Sequence, residues 1–149
     1  MAFPVFLDTC ALYPATLADL LLRVAERGAY RPHWSADVLS ELERNLAKIP
    51  SVTEEAARRR VSAMGMAFPD AAVTGYQSLI DGMTCDPKDR HVLAAAVHSD
   101  CQLIVTFNVR EPTALSTCAP GLAGEVGSAP LRRRGTAQDR HLAMDDRPR

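Results

Sequence analysis

The chain has 149 residues, of which 47% are hydrophobic, so it is long enough for one domain with a substantial core. Its net charge of −1 is uneven: residues 1–108 carry 10 Lys and Arg against 13 Asp and Glu, whereas residues 109–149 carry 7 against 5. This balance excludes a broadly basic nucleic-acid footprint on the body, and no apolar run reaches the length of about 18 residues that a membrane span needs.

The amino terminus and the cysteines indicate a cytoplasmic protein. The first residues contain neither the basic stretch nor the cleavage site of a signal peptide. The cysteines show no Cys-x-x-Cys spacing, which favours reduced thiols over a zinc site or a disulfide framework. They are Cys10, Cys85, Cys101 and Cys118.

The first predicted strand covers Phe3–Leu7, a short apolar run with a proline near its start. Asp8 and Thr9 follow directly at its carboxyl end. An Asp at this point is a candidate metal ligand, but it is equally typical of a turn or a helix cap.

Two helices and a second strand are predicted next. Thr16 is expected to cap a helix that ends at Gly28. Its apolar stripe is expected to consist of Leu17, Leu20, Leu21 and Val24. Residues 29–33 are predicted to form a strand, after which Ser35 caps a further helix.

The helix after Ser35 presents two candidate acidic residues. Glu41 and Glu43 lie on opposite flanks of its apolar stripe, so periodicity does not choose between them. From this helix alone, the favoured interpretation is that both are solvated flank residues. Farther along, Thr53 is expected to cap another helix, and residues 71–74 are predicted to form a third strand.

Residues 85–108 predict a helix that leads into a buried strand. Asp86 is expected to cap this helix, with Pro87 at its first position and Asp89 in its first turn. The run Leu103–Val105 is typical of a central strand in a parallel sheet. It is followed by Thr106-Phe107-Asn108 at the position where such sheets place their sites.

The composition changes after this strand. Residues 111–149 are rich in Pro, Gly and Arg and show neither a helix nor a strand period. We therefore predict one domain over residues 1–110 and a loosely ordered tail over residues 111–149.

Alternation of helices with short apolar runs predicts an α/β fold: a parallel sheet with helices on both faces. The carboxyl edge of that sheet is expected to gather Asp8, Asp89 and Asn108, with Glu41 reaching it from a flanking helix. Carboxylate and amide oxygens without His or Cys suit Mg²⁺ or Mn²⁺ better than zinc.

Four short motifs, taken in order, resemble the PIN-domain ribonucleases and in particular the VapC-type toxins of bacterial toxin–antitoxin pairs. They are Leu7-Asp8-Thr9, Ser35 through Leu46 with Glu41-Leu42, Asp86-Pro87-Lys88-Asp89, and Ile104-Val105-Thr106-Phe107-Asn108. The resemblance covers roughly residues 3–110. It implies a PIN-like three-layer fold with a short central parallel sheet, whose last strand has no recognisable counterpart in residues 111–149.

The resemblance also implies roles for individual residues. Asp8, Glu41 and Asp89 match the three main acidic positions, which selects Glu41 over Glu43 as a catalytic residue and metal ligand. Asn108 stands where many members carry a fourth acidic residue, and Cys10 stands where many carry Asn. Supporting roles fall to Asp86, Thr106 and Thr9.

The implied activity is endonucleolytic cleavage of RNA that depends on Mg²⁺ or Mn²⁺. The implied partners are the RNA substrate and a cognate antitoxin protein, and a homodimer is a common assembly of the family. The alternative is a PIN-like scaffold that binds RNA or an antitoxin without cleavage. A plain α/β domain, in which Asp86 and Asp89 only cap a helix, is a third interpretation.

Overall fold

The computed structural model describes residues 2–107, so Asn108, Cys118 and the predicted tail lie outside the described residues. The strands are β1 (Phe3–Leu7), β2 (Tyr30–Ser35), β3 (Ala72–Val73) and β4 (Leu103–Val105). The helices are α1 (Thr9–Leu12), α2 (Ala15–Glu26), α3 (Ala36–Leu46), α4 (Glu54–Ala67) and α5 (Arg90–His98), with 3₁₀ turns at Pro69–Ala71 and Gln77–Gly82. The predicted domain boundary near residue 110 stays a prediction.

The four described strands form one parallel sheet in the order β3-β2-β1-β4. The chain builds outward from β1 to β2 to β3 and then crosses back to place β4 on the other side of β1. Right-handed crossovers therefore put α1 to α4 on one face of the sheet and α5 on the other. The predicted three-layer α/β fold is confirmed.

The core fills the space between the sheet and its helices. Phe6 and Leu7 of β1 are fully buried, as are Trp34 of β2 and Leu42 of α3. Ser35 is buried with them, and its hydroxyl accepts the Val38 N–H at 3.2 Å, which is the predicted cap of α3. The cap fixes where α3 starts and so where its acidic residues point.

Two features of α2 differ from the prediction. Pro14 occupies the N-cap position, so Thr16 lies inside the helix and caps nothing. The buried residues are Ala18 and Ala25, whereas Leu20 is 58% exposed and Val24 is 37% exposed. Small side chains face the sheet because α2 packs closely on β2.

The helix of the 85–108 stretch begins later than predicted, at Arg90. Asp86 is not its N-cap, because its side chain accepts the Lys88 N–H at 3.2 Å and closes a local turn. Pro87 lies in that turn, and Asp89 becomes the N-cap residue, though its side chain makes no capping bond.

The strand β4 is present where predicted. Among the described strands it pairs with β1, and its three residues are partly buried rather than fully buried. Its predicted central position in the sheet stays a prediction. Within residues 2–107, Cys10, Cys85 and Cys101 are not joined by a disulfide.

Candidate active site

Asp8 is fixed at the carboxyl end of β1 by hydrogen bonds of its backbone and of both its carboxylate oxygens. Its backbone N–H donates to the Val105 carbonyl at 3.1 Å, which continues the pairing of β1 with β4. Its Oδ1 accepts the Thr9 N–H at 2.7 Å, and its Oδ2 accepts the Thr106 hydroxyl at 2.8 Å. The carboxylate is therefore held in one orientation before anything binds to it.

Cys10 supplies a further contact to the same carboxylate. Its Sγ lies 3.1 Å from Asp8 Oδ2 and 3.2 Å from the Thr106 hydroxyl, and it accepts the Phe107 N–H at 3.0 Å. Burial raises the pKa of the Cys10 thiol, which keeps it protonated and able to donate to Asp8. The cysteine thus holds Asp8 and the end of β4 together.

Glu41 reaches the same edge from α3. Its Oε2 accepts the Thr9 hydroxyl at 3.0 Å, so Thr9 connects the end of β1 to α3. Glu43 turns elsewhere, since its carboxylate lies 3.5 Å from the Arg58 guanidinium. The structure therefore brings Glu41, and not Glu43, beside Asp8.

Asp89 approaches from the loop before α5 and is half-buried. Burial raises the pKa of its carboxyl group, the Lys88 ammonium lowers it, and the negative charges of Asp86 and Asp8 raise it further. Asp8 is therefore close enough to Asp89 for its negative charge to disfavour ionisation of Asp89.

These acidic residues open into one cavity of about 490 Å³ at the carboxyl edge of the sheet. Asp8, Glu41 and Asp89 all line it, as does Thr9, whereas Asp86 and Thr106 do not. Thr106 instead contacts Asp8 from outside the cavity lining, through the hydrogen bond of its hydroxyl to Oδ2. The remaining lining residues are Cys10, Tyr13, Asn45, Lys48, Lys88, His91, Val92 and Phe107.

Several of these lining residues were not predicted from the sequence. Lys48 lies just past the end of α3, and His91 lies in α5 with its Nδ1 buried and without a hydrogen-bond partner among the described residues. Tyr13 and Phe107 follow α1 and β4. Their common signal is position, since each lies within two residues of the end of a helix or strand.

The donors at this cavity fit a hard divalent cation. The side chains of Asp8, Glu41 and Asp89 offer carboxylate oxygens, the ligands that Mg²⁺ and Mn²⁺ prefer. Within residues 2–107 no three Asp, Glu, His or Cys side chains lie close enough together to hold one ion. The carboxylates therefore share a cavity without converging on one point.

A comparison with protein-family models matches residues 4–110 to the PIN domain family. Searches of curated proteins and of solved structures found no match. In the described part of the chain no helix is long and apolar enough to cross a membrane.

Proposed function

Since the chain belongs to the PIN domain family, whose members are generally nucleases that use divalent metal ions, we propose that it is a metal-dependent endoribonuclease. The observation that carries the proposal is the meeting of Asp8, Glu41 and Asp89 at one cavity on the carboxyl edge of the sheet. The site residues, the RNA substrate and the choice of Mg²⁺ or Mn²⁺ belong to this proposal.

We assign Asp8, Glu41 and Asp89 as the catalytic carboxylates that would hold the cation. A cation held there supplies activation of a water and neutralisation of charge on the phosphodiester. Thr106 and Cys10 orient Asp8, and Thr9 orients Glu41. Asn108 stays a proposed further ligand outside the described residues, and Asp86 is left with a supporting role in the turn before Asp89.

The test is cleavage of RNA in Mg²⁺ or Mn²⁺ by the wild type and by Asp8→Asn, Glu41→Gln and Asp89→Asn. Each variant keeps the size of the side chain but removes a charge, so cleavage is expected to fall at least about 100-fold. Glu43→Gln is the matched control. It removes the same charge two residues after Glu41, but the Glu43 side chain faces Arg58 and not the cavity. It is expected to cleave like the wild type.

The outcomes separate the two candidate functions. Metal-dependent cleavage that all three site variants lose supports the endoribonuclease. Equal cleavage by all five proteins would refute the site assignment. Binding of RNA or of an antitoxin without any cleavage by the wild type would instead favour the scaffold that binds without cutting.

We further propose that the nuclease is the cytoplasmic toxin of a bacterial toxin–antitoxin pair. The support is the ordered resemblance of its motifs to VapC-type toxins. Expression of the wild type in a bacterium is then expected to arrest growth, and Asp8→Asn is expected to relieve the arrest. Co-expression of the cognate antitoxin, expected to be a small protein encoded beside the toxin, should also restore growth. That antitoxin should co-purify with the chain. Continued growth with the wild type would contradict the toxin role but not the nuclease activity.

A further inference from the structure

Two aromatic side chains project into solvent at the candidate active site. Tyr13 is 38% exposed and Phe107 is 61% exposed, and both line the cavity that contains the three carboxylates. Single exposed aromatic residues are ordinary on a protein surface. Two of them beside the same acidic residues call for an explanation in terms of what binds there.

The backbone of each aromatic residue is held in place although its ring is exposed. Tyr13 ends α1, where its N–H donates to the Thr9 carbonyl at 2.8 Å and its own carbonyl accepts an Arg60 N–H at 3.5 Å. The Phe107 N–H donates to Cys10 Sγ at 3.0 Å. Both rings are thus carried by backbone that is anchored next to the residues that orient Asp8, at the rim of the same cavity.

Cationic side chains at the same cavity complete the pattern. Lys48 and Lys88 line it, and their contacts are weak or neutral: Lys48 donates to the Asn45 side-chain oxygen at 2.9 Å, and Lys88 lies 3.8 Å from Asp86. Aromatic rings that stack on bases, combined with cations that meet phosphates, are how proteins bind single-stranded nucleic acid. A base within a duplex has both faces covered and offers no such surface.

We infer that Tyr13 and Phe107 are specificity-determining residues that stack on unpaired bases next to the phosphate that is cut. This inference rests on the proposed nuclease function and adds which residues select the strand. Stacking depends on the ring and not on apolar bulk, so it can be separated from a merely structural role. It also favours strands whose bases stack strongly, which are the purines.

The test measures binding of short fluorescent RNA strands by anisotropy, with Asp89→Asn as the parent protein so that cleavage does not interfere. Tyr13→Leu and Phe107→Leu keep apolar bulk but lose the ring, and each is expected to weaken binding about 5- to 100-fold. Tyr13→Phe keeps the ring and should bind like the parent. Leu20→Ala removes an exposed apolar side chain that does not line the cavity, and it is the matched control.

A second arm removes the base instead of the ring. A strand with one abasic position at the cut site should bind the parent more weakly than the intact strand does. If Tyr13 or Phe107 stacks on that base, the loss of affinity should largely disappear when that residue is replaced by Leu. Full additivity of the two losses would overturn the inference, because it would mean that ring and base do not touch. Losses confined to one ring would restrict the inference to that residue.

The remaining outcomes distinguish this inference from the proposed function. Metal-dependent cleavage by the wild type, with Leu variants that bind like the parent, would overturn the stacking role and leave the nuclease standing. Equal binding of a duplex and a single strand would do the same. Absence of both cleavage and binding would overturn both.

Discussion

The three candidate acidic residues differ in how well the protein itself supports their charge. Asp8 accepts three hydrogen bonds, and Glu41 accepts one from Thr9. Asp89 makes no capping bond and lies near the charge of Asp8. A bound cation would therefore stabilise the ionised form of Asp89 most. Without metal, ionisation of Asp89 should destabilise the fold by a measurable amount.

Replacing Asp89 by Asn is expected to raise the thermal midpoint of the protein in EDTA at pH 7. Burial and the Asp8 charge raise the pKa of Asp89, so the folded state binds this proton more tightly than the unfolded state. The free energy of unfolding therefore falls as pH rises from about 4 through the raised pKa, and the full loss persists above that pKa. The Asn variant lacks this cost, and its advantage should vanish below about pH 4.

Thermal melts across pH, with EDTA and with Mg²⁺, check this expectation. Asp81→Asn is the control, because it removes an exposed carboxylate that does not line the cavity. Mg²⁺ should stabilise the wild type and remove the advantage of Asp89→Asn. A wild type that is more stable than the variant in EDTA at pH 7 would contradict the assigned repulsion.

Thr106 is expected to affect metal binding without touching the metal. Thr106→Val keeps the shape of the side chain but removes the 2.8 Å bond to Asp8 Oδ2, so Asp8 loses part of its orientation. Loss of such a supporting bond typically lowers metal affinity about 10- to 100-fold. Titration with Mn²⁺ in a calorimeter measures the change directly, and Thr16→Val on the exposed side of α2 serves as control. Equal affinity of Thr106→Val and the wild type would show that Asp8 needs no such support.

The placement of Asp8 and Asp89 at one edge of the sheet was predictable from the sequence, whereas Glu41 needed the family resemblance, and the cavity around them was not predictable. Asp8 follows an apolar strand and Asp89 opens a helix, and both patterns are local. Lys48, His91 and Phe107 line the same cavity because separate elements meet there, and no spacing in the chain records that meeting. The position of Asn108 still rests on the sequence alone.

At the scale of elements, Arg60 connects α4 to the end of α1 and so to the candidate site. Its guanidinium donates to the Leu12 carbonyl at 2.7 Å and to the Tyr13 carbonyl at 3.5 Å. Burial lowers the pKa of Arg60, but the group stays charged at neutral pH because its ordinary pKa is very high. The short helix α1 leaves these carbonyls without partners of its own, so Arg60 supplies them.

Arg60→Gln is accordingly expected to reduce the free energy of unfolding by about 1–3 kcal/mol, because it leaves partly buried carbonyls without a charged donor. Arg59→Gln, which loses only an exposed contact at 3.9 Å to Glu55, should change it by less than about 0.5 kcal/mol. Urea unfolding measures both. Similar small effects of the two substitutions would show that Arg60, like Arg59, is a surface residue with no part in holding α1.

Element positions were easier to predict than element boundaries and faces. Ser35 and Thr53 cap their helices as expected, because a hydroxyl one residue before a helix is a strong local signal. In α2 the leucine periodicity was only partly right: Leu21 packs against the core, but Leu20 and Val24 are exposed. The buried positions are Ala18 and Ala25, whose small side chains allow the helix to pack on β2. Pro87 suggested a helix start at that residue, but the Asp86 side chain forms a local turn with the Lys88 N–H, and α5 begins at Arg90.

At the scale of the whole molecule, the charge distribution limits how the chain can bind a nucleic acid. Residues 1–108 carry a net −3, so non-specific attraction to phosphates is weak and any binding must depend on a few placed cations. Lys48 and Lys88 are such cations, because they flank the acidic cavity. A cation held by the carboxylates would reverse the local charge between them.

Binding of a single RNA strand should consequently show a shallow salt dependence that a single lysine changes measurably. Each phosphate contact contributes a slope of about −0.7 to the logarithm of affinity against the logarithm of salt. Lys48→Ala should reduce the slope by about that amount with little change in base preference, since phosphates carry no sequence information. Arg27→Ala removes an exposed cation at the end of α2, outside the cavity, and should leave the slope unchanged. Anisotropy titrations from low to high salt in Mg²⁺ measure both. An equal loss of slope in both variants would mean that diffuse surface charge, and not the cations at the acidic cavity, holds the strand. The role assigned to Lys48 would then be wrong.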